Sequence, residues 1–255
     1  MAIMDQRYNG RMALFELPPN PQRWLFAFTH PDDEISIGAW MRRLVQAGAD
    51  VWAGWSVTDP VRAAEGTSVI EKLGAPKERL FYHGMPDKGA CEHLPELASL
   101  WSSAIERAKP ERIALGAFEC GHIDHDSTNF AVHRACDGRI PMLEIPLYHT
   151  YLTRTPVLNR FADPRGEEVL GLEPEEWRLK REVSRMYKSQ NIGRLLVYAT
   201  AWGWMKGRPP ALCRTERMRL QTHFDYETPN LPEPLRSRVM ATETWRRWAA
   251  CVKGR

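Results

Sequence analysis

The chain has 255 residues, of which 43% are hydrophobic and 26% charged, the composition of an ordinary soluble globular protein. Its formal net charge of +3 is small and its basic residues are scattered, which argues against a surface dedicated to nucleic acid. No apolar run approaches the ~20 residues needed to cross a bilayer, so no membrane span is expected.

In chain order the sequence predicts alternating strands and helices as far as residue 150. They are strand Trp24–Phe28, helix Ile35–Ala47, strand Val51–Val57, helix Ala63–Leu73, strand Leu80–Tyr82, helix Leu94–Ala108, strand Arg112–Phe118, helix Ser127–Asp137 and strand Met142–Tyr148. Regular alternation of this kind predicts an α/β, Rossmann-like fold with a mostly parallel sheet and helices on both faces. In such sheets ligands bind beyond the carboxyl ends of the strands.

The last third of the chain is less regular. Glu173–Lys188 predicts a helix with Pro174 in its first turn, and Trp245 and Trp248 mark a short C-terminal helix. No repeat or flexible linker separates this part from the rest. We therefore expect one domain over residues 1–255, with a core at about 20–195 and a C-terminal elaboration at about 196–255.

The cysteines indicate the redox compartment. There are five, with no C-x-x-C pair, at positions 91, 120, 136, 213 and 251. An odd, scattered set is typical of free thiols in a reducing environment. Because the N-terminal region also shows no signal-peptide pattern, we expect a cytoplasmic protein.

The first chemically informative motif follows the first predicted strand. His30 and Asp33 are three residues apart, so both can face one metal ion, while Asp32 is free to act as a base. Glu34 falls in the first helical turn, where the helix dipole favours a carboxylate. The alternative is that these acids only begin a helix, which would leave His30 without a role.

The second motif follows the strand that ends near Phe118. His122 and His125 repeat the three-residue spacing, so one can complete a metal site and the other can donate a proton. Asp124, between them, can orient a histidine as an outer carboxylate. Taken alone, this motif could be a polar loop with two exposed histidines, but two such motifs at matching strand ends favour a shared metal centre. A set of two nitrogens and one carboxylate suits zinc, and also ferrous iron.

Together the two motifs closely resemble the paired signatures of the PIG-L/LmbE-like zinc-dependent N-acetylglucosaminyl deacetylases. Weaker matches lie in the expected order at Arg62 with Glu65, at Asp87 and at Tyr187-Lys188-Ser189-Gln190. The resemblance covers roughly residues 20–195. Two departures are Ile123, where the family usually has proline, and the Trp-rich region after residue 195, which matches nothing we can assign.

The resemblance implies specific roles for the residues of both motifs. Zinc would be bound by His30, Asp33 and His125, Asp32 would be the general base, and His122 the general acid. Asp124 would support a histidine. Arg62 and Asp87 correspond to positions that contact the sugar in the family.

The predicted function is a metal-dependent hydrolase that removes an N-acyl group, expected to be acetyl, from an amino sugar or glycoconjugate. The family mechanism is attack by zinc-bound water with Asp32 as base. The alternative is a zinc amidase acting on a non-sugar acyl-amine or secondary-metabolite intermediate, which the unmatched C-terminal region suggests. A non-catalytic nucleotide-binding protein lacks support because no G-x-G-x-x-G or Walker-type loop follows the first strand. The expected partner is a small-molecule substrate, and a homo-oligomer is compatible with the sequence.

Overall fold

The structure, a computed structural model, describes residues 13–149, 157–205, 207 and 214–253. Its strands are β1 (Arg23–Phe28), β2 (Asp50–Val57), β3 (Leu80–Met85), β4 (Arg112–Gly116), β5 (Met142–Ile145), β6 (Tyr148–His149), β7 (Val157–Leu158), β8 (Glu168–Gly171) and β9 (Thr215–Leu220). Its helices are α1 (Gly38–Gln46), α2 (Pro60–Leu73), α3 (Leu94–Ala108), α4 (Ile123–Cys136), α5 (Pro174–Met186), α6 (Ile192–Met205), α7 (Leu235–Met240) and α8 (Glu243–Val252). Three short 3-10 turns lie at Asp33–Ser36, Lys77–Arg79 and Ala90–His93.

Seven strands form one sheet in the order β3-β2-β1-β4-β5-β9-β8. The first five are parallel, whereas β9 pairs antiparallel to both β5 and β8. The predicted α/β fold with a mostly parallel sheet is therefore confirmed. In this order β1 and β4 are neighbours, so the segments that follow them emerge side by side at one edge.

Both faces of the sheet are covered because β1 is apolar on both sides. Trp24, Phe26 and Phe28 pack in the cluster that includes α1, α2 and α5, while Leu25 and Ala27 pack against α3 and α4. A strand buried on both faces reads as an unbroken apolar run, as β1 does. This burial fixes the strand end from which the first motif emerges.

Several predicted boundaries were wrong, three of them beside the site. The helix predicted from Ile35 is divided into a 3-10 turn at Asp33–Ser36 and α1, and the last predicted strand is divided into β5 and β6. The helix predicted from Ser127 begins at Ile123, so Asp124 and His125 lie in its first turn. At Asp33 and His122, which follow strand ends, side-chain hydrogen bonds to the backbone set where the turn and α4 begin.

The C-terminal part contributes strands as well as helices. The sequence predicted the helices at α5 and α8, but not strands β8 and β9, which extend the sheet. The single-domain organisation stays a prediction, which this shared sheet supports. Among the described residues, no helix has the length and apolarity needed to span a membrane. Cys91, Cys120, Cys136 and Cys251 are free thiols, and Cys213 lies outside the described residues.

Candidate active site

The end of β1 presents His30 and Asp33 through a tight turn. One oxygen of Asp33, Oδ2, accepts hydrogen bonds from the backbone N–H groups of Thr29 and His30, both at 2.9 Å. The other, Oδ1, lies 3.6 Å from Nε2 of His125. The turn therefore fixes one carboxylate oxygen and leaves the second aimed into the site.

The end of β4 presents the second motif through the first turn of α4. His122 caps this helix, since its Nδ1 accepts from the backbone N–H of Asp124 at 3.3 Å. His125 is buried at 4% exposure one turn into the helix. A chain of hydroxyl groups, from Thr29 through Thr128 to Ser56, ties α4 to the ends of β1 and β2 at 2.9 and 2.8 Å. The two motifs are thus held against each other by buried hydrogen bonds.

His30, Asp33 and His125 bring three donor atoms together in a buried group that could hold a metal ion. Nδ1 of His30 lies 3.3 Å from Nε2 of His125. Ligands at zinc distances in a tetrahedron are separated by about 3.3–3.4 Å, so these spacings fit that ion. Burial, together with the charge of His30, lowers the pKa of His125 well below its usual value. A metal-ligating histidine must be neutral, so this environment suits the role.

Asp124 is fully buried and lies next to both His30 and His122. Its oxygens accept the backbone N–H groups of Lys88 at 2.6 Å and Ala90 at 3.2 Å. Oδ2 also lies 3.5 Å from Nε2 of His30 and 4.0 Å from Nδ1 of His122. Burial opposes ionisation of Asp124, but the hydrogen bond and charge of His30 outweigh it and lower its pKa. The position is that of a carboxylate that orients a ligating histidine through its second nitrogen.

A second group, formed by His30, His122 and Asp124, also has its donor atoms within reach of one ion. Both oxygens of Asp124 already accept backbone N–H groups, and Nδ1 of His122 accepts another. Asp33, in contrast, keeps one oxygen free of backbone donors. The hydrogen bonding therefore favours the group that contains Asp33 as the metal site. Burial lowers the pKa of His30, but Asp124 and Asp87 outweigh this effect and raise that pKa to about 9, so binding of a metal by His30 would release a proton.

Asp32 lies beside the three donor atoms in an unusual backbone conformation. Its φ angle of 130° is rare for a residue with a side chain. The backbone N–H of Asp32 donates to Oε2 of Glu34 at 2.9 Å. Burial and the charge of Asp33 raise the pKa of Asp32 to about 7, although the charge of Arg62 opposes this. A carboxylate with a pKa near neutrality is suited to general-base catalysis.

Glu34 lies behind the turn that carries Asp32 and bonds to it. It is fully buried, and its Oε2 accepts from Nε1 of Trp55 at 3.4 Å as well as from Asp32. Burial raises the pKa of Glu34 to about 8. Glu34 lies in the first turn of the short 3-10 helix Asp33–Ser36 rather than of α1, and its hydrogen bond also holds the backbone of the turn that carries Asp32.

The two predicted substrate-contacting residues both border the site. Arg62 projects from the first turn of α2, which Asp59 caps, and its Nη2 donates to the carbonyl of Pro31 at 2.9 Å and lies 3.6 Å from Asp32. Asp87 is 59% exposed and lies 3.5 Å from Nε2 of His30, whose hydrogen bond lowers the pKa of Asp87 to about 2.

The sequence grouped Glu65 with Arg62, but the hydrogen-bond partner of Glu65 is Ser189. It accepts two hydrogen bonds from Ser189, from the backbone N–H at 3.0 Å and the hydroxyl at 2.6 Å. Since Glu65 lies on α2 and Ser189 follows α5, this contact joins the weakly matched late segment to the start of the site. The link between the two segments could not be deduced from their separation in the sequence.

Tyr148 is a site neighbour that the sequence did not identify. Its ring lies 5.3 Å from that of His125 and 5.8 Å from that of His122. It follows β5, the strand next to β4, so the only signal was its place at the end of a predicted strand. A cavity of about 110 Å³ lies beside Tyr148 and is lined also by Asp32 and Asp33.

Comparison with known proteins identifies one family model that matches part of the chain. Residues 25–136 match the family model described as PIG-L, GlcNAc-PI de-N-acetylase. The match spans both motifs and confirms the resemblance inferred from them. Among curated protein sequences, none matches the chain.

Several solved structures share the fold. A deacetylase triple mutant from the teicoplanin biosynthetic pathway has a TM-score of 0.62 at 18% identity, covering 80% of this chain and 99% of that chain. The antimicrobial reagent A40926 pseudoaglycone deacetylase Dbv21 has a TM-score of 0.57 at 17% identity, covering 79% and 97%. The conserved protein TT1542 from Thermus thermophilus has a TM-score of 0.56 at 17% identity, covering 80% and 97%. At these identities the likeness establishes the fold.

Proposed function

We propose that this chain, whose residues 25–136 form a PIG-L domain, is a metal-dependent hydrolase that removes an N-acyl group from an amino sugar or glycoconjugate. The observation that carries the proposal is the buried convergence of His30, Asp33 and His125 beside a free carboxylate, Asp32. A binding protein would need neither the carboxylate nor the second histidine, His122. The description of the matched family, a de-N-acetylase, supports the same reaction.

His30, Asp33 and His125 are the residues we propose as metal ligands, with Asp124 orienting His30. When bound, the metal would polarise the amide carbonyl and lower the pKa of water in the site. Zinc fits the spacing of the donor atoms, and two histidines with one carboxylate also suit ferrous iron. Asp124 would hold His30 in place through its second ring nitrogen.

Asp32 is the proposed general base. Its carboxylate, with a pKa of about 7, would accept a proton from the attacking water. The hydrogen bond from its backbone N–H to Glu34 keeps the turn in its strained conformation. Arg62, tethered to the carbonyl of Pro31, would limit the movement of Asp32 and contact the substrate from the same side.

His122 is the proposed proton donor to the leaving amine. Burial, with the charge of His30, lowers its pKa, so the ring starts neutral at pH 7 with Nδ1 accepting from the helix. When the ring takes up a proton from solvent at Nδ1, that atom ceases to accept from the helix, and the carboxylate of Asp124, 4.0 Å away, would stabilise the positive charge. Nε2 then remains available to donate to the amine. Asp87, exposed at the rim, is the second proposed sugar contact.

The test is release of acid from a panel of N-acetylated amino sugars by protein freed of metal and then titrated with zinc or ferrous iron. Zinc should be added from below one equivalent, because the similar teicoplanin deacetylase has a zinc-inhibited form. We expect metal-dependent acetate release. No release at any metal loading would overturn the amino-sugar proposal, and release from aryl amides alone would favour the non-sugar amidase.

Substitution of the proposed base separates binding from turnover. D32N removes the proton acceptor without removing a proposed ligand, so kcat should fall by roughly 10²–10⁴-fold. Metal content, measured by elemental analysis, should equal that of the wild type. Near wild-type turnover in D32N would show that another group is the base.

A further inference from the structure

The cavity beside Asp32 and the proposed ligand Asp33 is mostly apolar. Its volume is about 110 Å³, and its polar lining comes from Asp32, Asp33, Ser36 and Tyr148. The apolar wall is made by Ile35, Leu147, Leu158, Ile192 and Leu196. The aliphatic part of this lining offers water no hydrogen-bond partner, whereas ordered water needs two to four polar partners.

The wall comes largely from outside the part of the chain that matches the family model. Leu147 precedes β6, Leu158 belongs to β7, and Ile192 and Leu196 lie on consecutive turns of α6. The match ends at residue 136, so only Ile35 of these five lies within it. The catalytic end of the cavity thus comes from the part that matches the family model, and most of its apolar end comes from residues outside that match.

The size of the cavity indicates which part of a substrate it accepts. An acetyl group would place one methyl group in it, whereas an apolar cavity of about 150 Å³ accommodates benzene. A space of about 110 Å³ therefore has room for a chain of roughly four to six carbon atoms. Its polar end lies at Asp32 and Asp33, where the scissile amide of the proposed reaction must be placed.

We propose that this cavity is an acyl-binding subsite and that the chain prefers apolar acyl groups of about four to six carbons over acetyl. The proposal rests on the proposed N-deacylase function and specifies its substrate. The acyl carbonyl lies toward Asp32 and Asp33, and the hydrocarbon chain extends between Leu158 and α6. The amine-bearing part of the substrate faces the opposite side, where Arg62 and Asp87 are located.

Burial of hydrocarbon sets the expected size of the preference. Each additional buried methylene contributes about fourfold in affinity for the transition state. Butanoyl adds two methylenes to acetyl, so its kcat/KM should exceed that of acetyl by about 15-fold. The preference should fall again once the chain is longer than the cavity.

The experiment compares acetyl, butanoyl, hexanoyl and decanoyl groups on glucosamine, and the same four on p-nitroaniline, with the metal-loaded protein. Leu196→Phe replaces the leucine side chain with a larger aromatic ring that would fill part of the cavity. This variant should lower the butanoyl-to-acetyl ratio of kcat/KM at least about tenfold. Val197→Phe is the matched control, because Val197 is the next residue on α6 and is 71% exposed. It should leave the ratio unchanged.

Binding supplies a second readout that does not need turnover. Calorimetric titration of the D32N protein with N-butanoylglucosamine and N-acetylglucosamine should give a tighter Kd for the butanoyl compound by about the same 15-fold. L196F should remove that difference and V197F should retain it.

The outcomes separate this inference from the proposed function. Release of acid from no substrate in either series would overturn the proposed function. A butanoyl preference on p-nitroaniline but not on glucosamine would support the acyl subsite and contradict the sugar specificity. Acetyl preferred in both series, or an L196F ratio equal to that of the wild type, would overturn the acyl subsite while deacylase activity stands.

Discussion

The two parts of the molecule that meet at the site contribute in different ways. Residues 25–136 supply every proposed ligand and proton-transfer group, on turns that follow β1 and β4. The later residues supply the apolar wall and no proposed catalytic group. Chemistry thus depends on short polar motifs at strand ends, whereas the shape of the cavity depends on segments that are distant in sequence. Substitutions in the two parts should therefore have effects of different kinds.

The largest expected effect follows removal of a proposed ligand from the first part. H125A should lose metal and lower kcat/KM by more than about 100-fold, because even partners outside the ligand set cost 10–100-fold. Elemental analysis and acyl release check this. H133A is the matched control, since His133 lies two turns further along α4 and stacks on Phe224. Full metal content in H125A would exclude His125 as a ligand.

The next effect tests the connection between the two parts. Lys180 of α5 and Glu216 of β9 form a buried ion pair at 2.7 Å, and Glu216 also accepts from the N–H groups of Ala39 and Trp40 at the start of α1. K180M should lower the free energy of unfolding by about 3 kcal/mol, because it leaves a buried carboxylate without its cation.

Urea denaturation measures that loss. K72M is the control, since the Lys72–Glu182 pair is half-exposed on both sides and contributes at most about 1 kcal/mol. Equal stability losses in K180M and K72M would show that burial does not increase the contribution of the Lys180–Glu216 pair to the free energy of unfolding. Metal content of the folded K180M protein should remain that of the wild type, because Lys180 contacts none of the proposed ligands.

A smaller effect distinguishes the two carboxylates near His30. Asp124 is fully buried and Asp87 largely exposed, yet both lie 3.5 Å from Nε2 of His30. D124N should weaken metal affinity by about 10–100-fold. D87N should change metal affinity less and raise KM for the amino sugar, as expected for a substrate contact. Competition with a chelator measures the first quantity and steady-state kinetics the second.

The smallest effect concerns Glu119, a buried acid just before the second motif. Burial raises its pKa to about 7, against the nearby charge of Arg219. The folded state therefore binds this proton more tightly than the unfolded state, so stability is full below about pH 4.5 and falls as the pH rises to about 7. E119Q should remove a decline of order 2 kcal/mol between pH 5 and 7.5.

Denaturation as a function of pH tests the prediction for Glu119. E106Q is the control, because Glu106 is exposed on α3. Other buried acids contribute to both profiles, so the measured quantity is the difference between E119Q and the wild type. Parallel profiles would show that Glu119 is ionised in the folded state throughout this range.

The fold and the convergence of the two motifs were predictable because both follow local patterns. Short apolar runs alternate with segments of helical periodicity, and this pattern predicted the alternating strands and helices. The two histidine motifs follow β1 and β4. The helix boundaries next to those motifs were not predictable. Hydrogen bonds by Asp33 and His122 to the backbone decide where the turn ends and where α4 begins.

The sequence by itself determined the α/β sheet, the edge at which a site forms and the residues that could bind a metal there. Parallel strands joined by helices all point their carboxyl ends to one edge, so motifs far apart in the chain must converge. Only the tertiary structure decided which atoms meet. The contact of Asp124 with His30, the link from Glu65 to Ser189 and the apolar wall built by Leu158, Ile192 and Leu196 depend on packing between distant segments. No local pattern predicts these contacts, because the sequence around each residue gives no indication of its distant partner.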